Sequence, residues 1–275
     1  MTGMLLLGVA GGGTTSPPTK PDLTAWKYFY RMNEGSGTTV ANDGTSATDM
    51  STGAIGSGSV SWATDAAMGG TVLDFETDNV SNGGRVYNLS CPGDLDATIV
   101  FSLACVIRPE TMSVGATDYL SIVDWSYYGG SGDRNGFALR LDYATSGIQW
   151  YISDGASVSI SLYCTHAAVA AAVGHFSAGN VYSVICTYRY DAAVSGNRIM
   201  AIYVNGILCA STGTVPTKLD TDTAANIDPA IGAGGSTTAA SADYCYDGKI
   251  AWVAFDTQYL DAAAVLSLHN SLHLA

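Results

Sequence analysis

Acidic residues at alternate positions, Asp74-Phe75-Glu76-Thr77-Asp78, are the chain's closest approach to a catalytic pattern. On a strand every second side chain shares a face, so such carboxyls could converge on one groove. Glycoside hydrolysis uses a carboxyl pair roughly 5 Å apart in a retaining enzyme and farther apart in an inverting one. This run leads into a loop, however, and a catalytic acid must also be positioned and shifted in pKa. It reads as an exposed acidic turn. A second stretch, Tyr127-Tyr128-Gly129-Gly130-Ser131-Gly132-Asp133-Arg134-Asn135, suggests binding instead. Its tyrosines could form an aromatic platform, and Asp133, Arg134 and Asn135 supply planar hydrogen-bonding groups of the kind sugars engage. The bland alternative is a connection whose tyrosines cover a sheet edge. His269 and His273 stand at helical i, i+4 spacing, which can hold a metal, but near a chain terminus such a pair usually meets solvent. H-E-x-x-H, G-x-S-x-G and phosphate-loop patterns do not occur. No catalytic residue, no metal site and no cofactor is assigned. Calcium stays an unassigned candidate through acidic loop residues.

Composition narrows the field. The 275 residues carry 24 acidic against 11 basic groups, a formal charge of −13. Such a surface disfavours nucleic acid and anionic lipid as partners. Charged residues are 13 % of the chain and Gly is abundant, which favours short strands joined by turns. No apolar run approaches the roughly 20 residues that span a bilayer, so no membrane insertion is expected. The six cysteines are dispersed. Cys105, Cys164 and Cys186 lie in strand-like runs, favouring reduced, buried thiols, while the even count leaves a disulfide framework open.

The elements that must position these residues follow from periodicity. Val181–Tyr190 alternates as a strand, Ile199–Val204 is a second, and Asn205-Gly206 is a tight hairpin turn into Ile207–Ala210. Phe101–Pro109 puts Phe101, Leu103, Cys105 and Ile107 on one face. Tyr119–Trp125, Gly136–Tyr143, Ile148–Ser153 and Val158–Cys164 read as an antiparallel meander. Ala-rich Thr165–His175 fits either helical turns or a strand. Asp261 is a candidate N-cap for a C-terminal helix. Glu34 is expected to cap turn amides, and Trp62 to anchor the Gly/Ser/Thr-rich stretch around it. Residues 1–21 read as an extended arm with an apolar strip, Met4-Leu5-Leu6-Leu7, then glycines and prolines. Residues 22–275 form the domain.

Several segments together resemble laminin G-like domains. They are "WKYFYRMNEGSGTTV" (26–40), "GGTVLDFETD" (69–78), "FSLACVIRP" (101–109), "TYRYD…NRIMAIYVNGILCAS" (187–211) and "DYCYDGKIAWVAF" (243–255), the last followed by a terminal helix. The resemblance implies an all-β, two-sheet antiparallel jelly-roll sandwich of the concanavalin A-like class, with a short C-terminal helix. Glucanases of that class carry an E-x-D-x-E pattern that this chain lacks. Laminin G-like jelly rolls occur in virion proteins of tailed phages, which implies a non-enzymatic capsid-decoration, head-fibre or tail-associated protein. Its arm would dock on other virion proteins or on copies of itself, and its domain could meet a cell-surface glycan. The virion is then the expected location. The alternative is an extracellular, secreted carbohydrate-binding or adhesive module.

Overall fold

The structure, a computed structural model, describes residues 18–46, 48–77, 83–87, 95–112, 119–128, 134–142, 147–155, 158–221, 230–234 and 244–274. Its first strands are β1 (Tyr28–Tyr30), β2 (Thr39–Val40), β3 (Met50–Ala54), β4 (Ser59–Asp65), β5 (Gly70–Glu76) and β6 (Gly84–Tyr87). The middle of the chain gives β7 (Val100–Pro109), β8 (Tyr119–Tyr128), β9 (Arg134–Asp142), β10 (Gly147–Asp154) and β11 (Ser159–Cys164), then helix α1 (His166–Val173). The last elements are β12 (Tyr182–Arg189), β13 (Ile199–Val204), β14 (Ile207–Thr212), β15 (Ala230–Ile231), β16 (Gly248–Asp256) and helix α2 (Ala262–Ser271).

These strands build two antiparallel sheets. The first sheet runs β14-β13-β12-β7-β16-β5-β4, with β1 also paired to β16. The second runs β11-β10-β9-β8-β15-β6-β3-β2. Period-2 alternation decides what lies between them. Phe101, Leu103, Cys105 and Ile107 of β7 enter the intersheet core, where Phe101 stacks on Trp150 at 6.0 Å and Trp125 on Phe137 at 5.8 Å. Ala104 and Val106 face outward into a second apolar layer. There the first sheet is covered by Val265 in the first turn of α2 and Leu272 just past its end, and by Leu23 and Trp26. Both faces of its central strands are therefore buried, which explains the unbroken apolar run of β16.

Local chemistry sets the joints. Asn205 and Gly206 take φ of 49° and 76°, the left-handed pair of a two-residue hairpin. Glu34 accepts the Ala41 amide at 2.8 Å, and Trp62 Nε1 donates to the Gly37 carbonyl at 2.9 Å. The 165–175 segment resolves as helix, started by Thr165 accepting the Ala168 amide and stopped by Gly174 at φ 85°. The described residues thus hold two short α-helices, not a C-terminal one alone. Asp261 caps α2 by accepting the Ala264 amide at 2.9 Å.

The end of the expected arm is fixed to the domain. Thr19 donates its amide to Leu272 O at 3.0 Å and its hydroxyl to Ser271 O at 2.9 Å. Lys20 Nζ donates to the carbonyls of Arg31 at 2.8 Å and Met32 at 2.9 Å, and also to that of Thr71. Burial chiefly brings the Lys20 pKa down to about 8. Met4, Leu5, Leu6 and Leu7 lie outside the described residues. No helix among the described residues is long and apolar enough to cross a membrane.

Candidate functional site

The outer face of the second sheet carries a polar cluster that strand register assembles. A bulge between Ser121 and Val123 turns both Ile122 and Val123 inward, so that Ser121 and Asp124 share the outer face. Ser121 lies opposite Arg140 on β9, Arg140 opposite Gln149 on β10, and Gln149 opposite Tyr163 on β11. Arg140 is 8 % exposed and Asp124 1 %. The guanidinium donates to Asp124 Oδ2 from Nε at 2.9 Å and from Nη2 at 2.6 Å, and Nη2 also reaches Ser126 Oγ at 2.8 Å. Asp124 Oδ1 accepts the Ser126 amide at 2.9 Å. Burial works against charge on Arg140, but Asp124 outweighs it and the pKa of Arg140 is raised.

Tyrosines surround this pair. The Arg140 guanidinium sits 5.4 Å from the Tyr119 ring centre and 5.8 Å from that of Tyr244, and the two rings meet edge to face. Gln149 Nε2 donates to Ser161 Oγ at 3.1 Å and to the Tyr163 hydroxyl at 2.9 Å. Tyr163 in turn shares a hydrogen bond with Tyr119, whose pKa is pushed up to about 12 by burial first and by that bond second. Gln149 is 3 % exposed, and its Oε1 has no donor among the described residues. Tyr163 is 41 % exposed. A locked ion pair thus underlies aromatic rings with open surface and an unfilled carbonyl acceptor. That combination suits a neutral, hydroxyl-rich ligand: C–H faces pack on rings and hydroxyls meet planar groups. The sequence reading missed this site because its residues are scattered from 119 to 244; only the alternation of outward polar residues on β9 to β11 hinted at it.

The expected loop site is at the other end of the same hairpin. Tyr127 and Tyr128 continue β8, while Arg134 and Asn135 begin β9, with Tyr127 opposite Asn135 and Tyr128 opposite Arg134. The strands are longer than the glycine-rich sequence suggested, since tyrosine favours extended backbone. Asp133 lies outside the described residues. From Tyr119 to Tyr127 a strand advances roughly 25 Å, so the two regions are well separated along β8.

The acidic run also finds partners. Asp74 and Glu76 on β5 approach Glu110, which follows β7, and donor atoms of the three lie within 4.8 Å of one another. Asp78 lies outside the described residues. Lys249 Nζ already bridges Asp74 at 3.2 Å and Glu110. Burial, then Asp74 and Glu110, raise the pKa of Glu76. The group has oxygen donors fit for a hard cation, but a cation there would have to displace the lysine. His269 and His273 do not share a helical face. His269 Nδ1 lies 2.9 Å from Ser183 Oγ, whereas His273 sits past the helix end at φ 50°.

Neither a protein-family model nor a curated protein sequence matches this chain. Its fold does match solved structures. The binding domain of botulinum neurotoxin DC in complex with SialylT superposes with a TM-score of 0.57 at 13 % identity, covering 90 % of this chain and 52 % of that one. The same domain in complex with rat synaptotagmin II gives 0.55 at 14 % identity, with coverage of 90 % and 52 %. The botulinum neurotoxin serotype D binding domain gives 0.55 at 12 %, again covering 90 % and 52 %. The chain therefore spans about half the length of these domains. At such identities the likeness speaks for the fold: this chain is a two-sheet antiparallel jelly-roll sandwich.

Proposed function

We propose that this chain is a non-catalytic binding module whose ligand is a glycan, engaged on the outer face of β8 to β11. The observation that carries the reading is the partly exposed Tyr163, held by the buried Gln149 and by Tyr119 beside the Arg140–Asp124 pair. Neurotoxin binding domains solved with SialylT and with a synaptotagmin share the fold, which supports a recognition role without identifying the ligand.

A glycan array tests the reading. Tyr163→Ala and Gln149→Ala should each weaken binding by about 1–3 kcal/mol, roughly 5- to 150-fold, with the fold intact. Tyr128→Ala tests the opposite end of the hairpin. Loss of binding in Tyr128→Ala alone would move the site to residues 127–135, and no glycan binding by the wild type would remove it. Hydrolysis of a polysaccharide that disappears in Glu76→Gln would overturn the non-catalytic part.

A finer reading, that the module is a virion component docked through the part of the arm that precedes Pro18, is favoured by one observation. Met4, Leu5, Leu6 and Leu7 form an apolar strip followed by Gly11, Gly12 and Gly13. Such a strip can add to a neighbour's sheet edge, satisfying its backbone there.

A further inference from the structure

We propose that Cys164 and Cys209 form a site of reversible disulfide formation that joins the edge strand of one sheet to the edge strand of the other. β11 ends the second sheet and β14 ends the first, and these two edges lie against each other. Cys164 is the last residue of β11 and is buried in the intersheet core. On β14 the register passes from Leu208 opposite Tyr203 to Ala210 opposite Ile202, leaving Cys209 as the extra residue of a bulge. Cys209 is half-buried and packs on the same core. The two thiols hydrogen bond to each other. Cys164 Sγ also lies 4.0 Å from Thr165 O, and Cys209 Sγ 3.4 Å from Ile207 O.

The pair is chemically asymmetric. The hydrogen bond from Cys164 holds the Cys209 pKa below the ordinary thiol value, while the same bond, with burial, raises that of Cys164. Cys209 is also the more exposed, which makes it the attacking group. Cys105, Cys186 and Cys245 are buried, and burial raises the pKa of Cys105 and Cys186. The oxidant is a small-molecule disulfide. The Cys209 thiolate attacks one of its sulfurs, the S–S bond breaks, and one small thiolate leaves and takes a proton. Cys164 then attacks the Cys209 sulfur, its proton passing to the second small thiolate that it expels. Two protein thiols are oxidised and one disulfide is reduced to two thiols. The product fastens β11, the strand that presents Tyr163, to the opposite sheet.

The full-length protein, equilibrated with oxidised glutathione and then denatured, should show two of its six thiols lost. Peptide mapping should link Cys164 to Cys209. The melting temperature should rise by on the order of 5–10 °C and return with dithiothreitol. Cys209→Ser should keep its remaining thiols and its melting temperature under the same treatment, whereas Cys91→Ser should still form the link. Retention of all six wild-type thiols, or a crosslink mapped to any other pair, would overturn the proposal.

Discussion

Asp124 and Arg140 show how a single buried charge commits its neighbours. Taking both ions out of water is expensive, and the cost is met only while each satisfies the other. Asp124→Ala should therefore destabilise the protein by about 3–5 kcal/mol, because Arg140 is left charged beneath Tyr119 and Tyr244. Urea unfolding of Asp124→Ala and of Asp124→Ala/Arg140→Met separates lost packing from the stranded charge. The double variant should recover most of the loss. A cost under about 1 kcal/mol in the single variant would mean that solvent reaches the guanidinium.

At the level of elements, α2 is held by its apolar side and by one titratable contact. Val265 and Leu272 cover the first sheet, and His269 Nδ1 meets the Ser183 hydroxyl at 2.9 Å. That geometry suits a neutral imidazole accepting from the serine. Burial lowers the His269 pKa from its ordinary 6.5. The unfolded chain therefore takes up a proton that the folded chain resists. The contribution of His269 is complete above the unfolded value, declines as pH falls below it, and levels off under the folded pKa. Urea midpoints taken from pH 7.5 to pH 5 should fall more steeply for the wild type than for His269→Gln. Parallel curves would show that His269 stays solvated on the folded protein. Glu76, Asp247 and Asp256, all raised chiefly by burial, act in the opposite direction, so the difference between the two proteins is the informative quantity.

For the whole molecule, the decisive feature is that the central strands of the first sheet are apolar on both faces, whereas the second sheet carries buried polar groups on its outer face. The second cover of the first sheet depends on residues before β1. Lys20 reaches three carbonyls, and Thr19 closes onto the end of α2. A chain starting at Pro18 should be as stable as the full chain. One starting at Asp22 should lose about 2–3 kcal/mol, since charge-assisted hydrogen bonds are broken and their carbonyls uncovered. Chemical denaturation of the two truncations compares them directly. Equal midpoints would place Thr19 and Lys20 outside the cooperative unit. The same pair addresses assembly: if residues 1–17 are a docking arm, the chain starting at Pro18 folds but stays monomeric where the full chain associates.

Alternation and turn chemistry are local properties, and the sequence by itself determined what depends on them. The face shared by Phe101, Leu103, Cys105 and Ile107, the Asn205-Gly206 turn, the Asp261 cap and the Glu34 amide bond are all legible over a few residues. The sandwich follows because strands with one apolar face must bury it against another such face. The Ala-rich 165–175 segment was ambiguous, since its composition fits helix or buried strand and Thr165 and Gly174 decide the matter only with their backbone angles known. What lies side by side across strands was decided by tertiary structure alone. Arg140, Gln149 and Tyr163 meet through register, Asp124 joins them through a bulge that periodicity does not reveal, and Tyr244 arrives from the far end of the chain. Cys164 and Cys209 meet because the edges of two different sheets converge. Register and sheet packing are set by the sum of many long-range contacts, so no short stretch of sequence encodes them.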